Sequence, residues 1–259
     1  MQIKEIMTTD VVSVDKDESL SRVLDLMKKY DITKIPVLDQ KKFFGLVTDN
    51  VIAYKLGSIR KREVPASHMY ASSVTEKQIP TIAPTDEVQS ILKRVGEPGP
   101  TMLPVLEKGK LVGVVTKADL LPLVTSKAPL HSIMQRHVHT VAADERVIHA
   151  RRLMINQNVA RLPVIENGEL IGIISDIEIA YAFASLKKKV SLGKQKRHLE
   201  ELLVKDAMRS QVISTPSITR IVDAAALMMK ENVGCLPVVD NGVLIGLVTR
   251  TDLLKTIKQ

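Results

Sequence analysis

Four stretches of this 259-residue chain follow one pattern in one register: ITKIPVLDQKKFFGLVTDNV, TMLPVLEKGKLVGVVTKADL, ARLPVIENGELIGIISDIEI and GCLPVVDNGVLIGLVTRTDL. Pro36, Pro104, Pro163 and Pro237 are each followed nine residues later by Gly45, Gly113, Gly172 or Gly246. Three residues further stand Thr48, Thr116, Ser175 and Thr249. The register also runs backwards, because Met7, Met134 and Met208 lie 29 residues before their prolines and Thr75 holds that place in the second copy. A unit this small cannot bury a sheet by itself, so the chain is constrained to be an array of small repeats that cover one another.

Each copy predicts the same order of elements. A short apolar piece (Val11–Val14, Ile79–Ile82, Val138–Val141, Val212–Ser214) leads to a helix whose N-caps are expected at Asp17, Thr85, Asp144 and Ser217. Apolar stripes follow at helical spacing: Leu20, Val23, Leu24 and Met27; Val147, Ala150, Leu153 and Met154; Leu227 and Met228. Then come two short strands joined by tight turns, clearest at Asn167-Gly168 and Asn241-Gly242, and a second helix after the Thr or Ser. The predicted unit is β-α-β-β-α, an α/β (α+β) class. Repeats are expected at 1–57, 70–125, 128–185 and 203–259, pairing first with second and third with fourth. The boundary between pairs is then near Thr125–Leu130, and the basic stretch 187–203 is a surface excursion inside the second pair.

Composition narrows the function classes. Hydrophobic residues are 45% and charged residues 25%, a globular balance. Aromatics are only 3%, without Trp, so aliphatic residues and Met must build the core. A formal charge of +8 favours anionic partners without choosing among them. Cys235 is the single cysteine, which excludes an internal disulfide and suits a reducing cytoplasm. The opening MQIKEIMTTD has no apolar core of a signal peptide, and runs such as VLIGLV fall far short of the about 20 residues that span a bilayer. No P-loop, G-x-G-x-x-G, H-E-x-x-H or G-x-S-x-G is present, so no enzyme activity is expected. His137-x-His139 lacks accompanying ligands at zinc-like spacing, and no metal is expected.

The strand x-x-h-P-V-h, the turn and the ending G-h-h-[ST]-x-x-[DN] closely resemble the CBS domain, over almost the whole chain. The four-repeat layout resembles the γ subunit of AMP-activated protein kinase and stand-alone archaeal four-repeat proteins. That resemblance implies two tandem pairs forming a flat disk, with adenosine ligands in clefts between paired repeats and phosphates turned to the centre.

The chemistry of the motif fits such ligands. Glycine lets a ligand approach the backbone, while a hydroxyl and the free amides at a helix start suit a phosphate. A carboxylate three residues later, on the same face, can accept from both ribose hydroxyls. Asp119 and Asp252 satisfy the whole motif, Glu178 is one methylene longer, and Val51 leaves the first repeat without a normal site. Expected phosphate contacts are Thr116, Thr249, Ser175 and Thr48, with Lys117 and Arg250 just after two of these hydroxyls. By resemblance, Lys34 and Arg161, two residues before their prolines, reach phosphates as well. The adenine is expected against the first short strand, near Thr81, Ile82, Ser214 and Thr140.

Plainer readings stand beside these. Asp119, Asp252 and Glu178 could serve their helices, Thr48 could be only a cap, and Lys34 and Arg161 could be solvated charges. The leading function is a sensor of AMP, ADP or ATP controlling a protein partner, expected as a homodimer through its exposed helices. The alternatives are S-adenosylmethionine or methylthioadenosine binding, nucleic-acid association through basic segments 55–62 and 187–198, and a scaffold whose sites are structural.

Overall fold

The computed structural model describes residues 1–57, 68–96, 102–189 and 195–257. Repeat 1 runs β1 (Val14–Asp15), α1 (Leu20–Tyr30), β2 (Lys34–Asp39), β3 (Lys42–Thr48) and α2 (Asp49–Leu56). A two-residue strand β4 (Thr75–Glu76) precedes α3 (Val88–Gly96), β5 (Met102–Glu107), β6 (Lys110–Thr116) and α4 (Lys117–Leu120) of repeat 2. Repeat 3 has β7 (Val141–Ala142), α5 (Val147–Gln157), β8 (Arg161–Glu166), β9 (Glu169–Ser175), α6 (Asp176–Lys189) and α7 (Gln195–Glu201). Repeat 4 has α8 (Ile221–Lys230), β10 (Cys235–Asp240), β11 (Val243–Thr249) and α9 (Arg250–Leu254). The mixed α/β class is as the sequence predicts.

The four hairpins are near copies. Each is antiparallel and carries a bulge at the residue just before the motif glycine (Phe44, Val112, Ile171 and Ile245), where the register shifts after Val37, Val105, Val164 and Val238. The extra residue bends the hairpin locally at the glycine. Asn167-Gly168 and Asn241-Gly242 turn with positive φ at both residues (52° and 86°, 51° and 82°), as two-residue hairpin loops require.

Two expectations need correction. The first short strands lie later than the apolar pieces suggest: β1 and β7 pair in parallel with β2 and β8, while Ile82 and Thr215 make single parallel bridges to Val105 and Val238. The helix caps also lie later. Ser19, Arg146 and Arg220 precede α1, α5 and α8, not Asp17, Asp144 and Ser217. A turn intervenes between strand and helix, and its polar residues look like caps in sequence. Ser217 instead donates its amide and hydroxyl to Asp240, at 2.9 and 2.6 Å, tying that turn to the end of β10.

The chain forms two compact units. One contains Met1–Val11, Ile79–Val138 and Ile213–Gln259; the other contains Val12–Gln78 and His139–Val212. Each unit has its own aliphatic core, without Trp. The first buries Ile91, Leu103, Leu120, Leu121, Met228, Leu236 and Leu253. The second buries Leu20, Met27, Ile35, Ile52, Leu56, Met154, Ile179 and Phe183. Removing such a side chain down to Ala typically costs about 2–5 kcal/mol.

The segment before each first helix leaves its own repeat. Thr8 pairs with Val114, Gln135 with Leu247 and Arg209 with Ile173, and β4 pairs with β3 through Glu76 and Leu46. In every case the partner residue directly follows a motif glycine. A Cβ on Gly113 would stand 2.8 Å from Met7 Sδ and 3.0 Å from the Thr8 carbonyl oxygen. On Gly246 it would meet Met134 Sδ at 2.7 Å, and on Gly172 it would meet Met208 Sδ at 2.5 Å. The glycines are therefore filled by the leading methionines and are not open to a ligand, which corrects one reading of the motif.

Candidate functional site

The site motif is built at the junction of each hairpin with its second helix. Thr116 and Thr249 end their strands in extended conformation and begin α4 and α9 as N-caps. Asp119 stands at the third helical position and accepts on Oδ2 from the Thr116 amide (2.6 Å) and hydroxyl (2.8 Å). Asp252 does the same for Thr249, at 2.8 and 2.7 Å. Glu178 accepts on Oε2 from the Ser175 amide at 3.0 Å and from its hydroxyl, so the extra methylene does not prevent this closure. The Thr116–Asp119 and Thr249–Asp252 pairs are reciprocal caps, and they give the plainer reading of these carboxylates real geometric content.

Capping uses one face of each carboxylate and leaves the other facing the leading segment. Thr8 Oγ1 donates to Asp119 Oδ1 at 3.1 Å. Gln135 Nε2 donates to Asp252, at 3.3 Å to Oδ1 and 3.2 Å to Oδ2. Arg209 Nε lies 3.6 Å from Glu178 Oε1, and its Nη2 lies 3.9 Å from Asp31. One position, directly after the leading Met, thus supplies the donor to all three carboxylates. Nothing in the sequence reading singled out these residues. The signal was available, since each sits 28 residues before its repeat's proline.

Repeat 1 differs as expected. Thr48 caps α2 by accepting from the Val51 amide at 3.3 Å, and Val51 has no oxygen to return. The helices also differ in length. The four residues of α4 and five of α9 sum few peptide dipoles, so the attraction expected of a helix start is small there.

The expected phosphate ligands have partners within the protein. Lys34 Nζ lies 3.8 Å from Asp49 and 3.0 Å from the Thr33 hydroxyl. Lys117, buried, donates to Thr251 Oγ1 at 2.6 Å, bringing α4 to α9. Arg250 Nη2 reaches Asn232 at 3.4 Å. Arg161 lies across the hairpin from Ser175, and its charge is felt by Asp176. Asp176 is held up to about 7, because burial disfavours its charge and Asp49 repels it, against the pull of Arg151, Arg161 and Lys34. Of the residues expected at the adenine, Thr81 neighbours Ile82, which pairs within its own repeat, and Ser214 precedes Thr215, which does likewise. Thr140 precedes β7. The segment that Asp119 touches is instead the one leading repeat 1.

No described helix is long and apolar enough to cross a membrane. Among the described residues no group of three His, Cys, Asp or Glu side chains could hold a metal.

The CBS domain model matches residues 3–57, 71–126, 130–185 and 204–259. The chain belongs to the CBS domain family. Among curated relatives, the uncharacterised protein MJ1404 of Methanocaldococcus jannaschii is 29% identical over 98% of this chain, and the chain spans 61% of that protein's length. Among solved structures, protein MJ1225 of the same organism, presented as a suggested archaeal homologue of g-AMPK, superposes with a TM-score of 0.85. It covers 100% of both chains at 20% identity, which establishes a shared CBS fold. Inosine-5'-monophosphate dehydrogenase of Korarchaeum cryptofilum is 31% identical over 43% of this chain, and the match covers only 24% of that enzyme.

Proposed function

We propose that this CBS protein is a regulator that binds adenine nucleotides (AMP, ADP or ATP) and passes their occupancy to a protein partner. The observation that supports this is the shared geometry of Asp119, Asp252 and Glu178. Each carboxylate is locked in place by a hydroxyl and an amide, and each keeps a face turned to an exposed donor on a leading segment. A ribose 2′,3′-diol brings two hydroxyl donors and replaces Thr8 or Gln135 without leaving the carboxylate unpaired. Lys34, Arg161 and Arg250 supply the positive groups for phosphate. Binding shifts a partner's activity only through unequal affinity for two states of the protein. Four CBS repeats occupy the chain and the enzyme relative is matched over a minor part of its length, so the reading assigns no reaction.

The test is calorimetric titration of ligand-stripped protein with AMP, ADP, ATP and S-adenosylmethionine. Asp119→Asn/Asp252→Asn keeps the shape of the caps but removes two charged acceptors. Each altered site should weaken roughly tenfold or more, the loss expected for a charged hydrogen bond. Wild-type protein that binds none of these compounds would refute the reading. Binding of S-adenosylmethionine alone would move it to sulfonium nucleosides.

A further inference from the structure

We propose that Glu76 supplies, from the segment leading repeat 2, the carboxylate that repeat 1 lacks at Val51, giving repeat 1 a ribose-accepting site of its own. The inference rests on reading the other three carboxylates as ribose acceptors.

Glu76 pairs with Leu46, the residue after Gly45, as Thr8 pairs with Val114, Gln135 with Leu247 and Arg209 with Ile173. Since strand side chains alternate between faces, four residues at one register position share one face. From that position Thr8, Gln135 and Arg209 all reach the residue at the third position of the following helix, at 3.1, 3.2 and 3.6 Å. In three repeats the donor stands on the leading segment and the carboxylate on the helix. In repeat 1 the acid stands on the leading segment and an apolar Val on the helix. Both positions have changed together, and the place where they meet still holds one carboxylate. A donor such as Thr or Gln at residue 76 would face a side chain with nothing to accept. Glu76 is exposed, like its three counterparts, so it meets a ligand without first being uncovered. Thr48 also differs usefully from Thr116 and Thr249, which donate their hydroxyl protons to the helix carboxylate. Thr48 cannot donate to Val51, so its proton is left to a ligand oxygen. The chemical class is a ribonucleotide with both ribose hydroxyls unmodified.

The test is to titrate full-length wild type and Glu76→Gln with AMP and with 2′-deoxy-AMP. Glu76→Gln should weaken one class of AMP site by roughly tenfold or more and leave the others unchanged. The same substitution should change 2′-deoxy-AMP binding much less, because that ligand has lost one of the donated hydrogen bonds. Adding Val51→Asp to Glu76→Gln moves the acid back to the helix and should restore the site. Unchanged AMP binding in Glu76→Gln, or an equal loss for both nucleotides, overturns this proposal while leaving the broader function standing. Wild-type protein without any AMP site overturns this proposal, and the broader function falls with it only if ADP and ATP also fail to bind.

Discussion

Lys117 donates its ammonium to the hydroxyl of Thr251 from 2.6 Å, joining two residues 134 positions apart. The lysine is 5% exposed, which removes it from the surface charges that steer a ligand from a distance. Its head group is instead part of what holds α4 to α9.

From that pairing, Thr251→Val should destabilise the protein by about 1.5–3 kcal/mol, the range for a hydrogen bond to a charged group. Chemical denaturation reads the change. Thr251→Ser, which keeps the hydroxyl, should lose far less. Equal losses in both would assign the effect to the methyl group and not to the bond.

Gly113 is placed for the leading methionine. Gly113→Ala puts a methyl 2.8 Å from Met7 Sδ and 3.0 Å from the Thr8 carbonyl oxygen. Overpacking of this kind costs roughly 1–3 kcal/mol. Met7→Ala in the same chain should recover part of that cost, because the sulfur yields while the carbonyl does not. A double-mutant cycle in urea measures the coupling, and strict additivity would contradict the contact.

Asp176 should make stability depend on pH. Its folded value of about 7 lies above the 3.8 of an ordinary Asp, so between these values the folded protein holds a proton that the unfolded chain has released. Stability from this group therefore falls as pH rises from about 4 to about 7 and stays low above that. Asp176→Asn removes the ionisation, so it should flatten that slope and raise the unfolding midpoint at pH 8. Denaturation curves at pH 5 and pH 8 decide it, and an unchanged slope would show that Asp176 ionises normally.

Arg209 occupies the face of Glu178 that a ribose needs. Arg209→Gln copies Gln135, the residue that the segment leading repeat 3 presents at Asp252. In the Asp119→Asn/Asp252→Asn background it should tighten AMP binding by about 2–5-fold, since half-exposed ion pairs are worth little. Weaker binding would mean that the guanidinium itself holds the ligand.

Much of the fold was legible because the repeat is written in residue types with narrow conformational roles. Pro before the bulge, Gly under the bulge and Asn-Gly in two turns all sit where the register puts them. The carboxylates Asp119, Asp252 and Glu178 were legible for the same reason. What escaped was anything set by contact between distant residues. Thr8, Gln135, Arg209 and Glu76 carry no common side-chain chemistry, and only their shared distance from a proline marks them. The caps at Ser19, Arg146 and Arg220 were missed because the polar turn residues just before them fit the same local rule. The Lys117–Thr251 bond has no local signature, since each residue alone resembles an ordinary surface position.

The displaced leading segments bear on how such a chain can change over generations. Met7 fills the space over the glycine of repeat 2, while Thr75 and Glu76 cover the glycine of repeat 1. Met134 and Met208 trade places in the same way between repeats 4 and 3. A gene rearrangement that copied or deleted one repeat would leave a hairpin uncovered and a methionine with nowhere to go. Two consecutive repeats are the smallest piece that keeps both covers, so lineages of this chain should gain or lose repeats in even numbers.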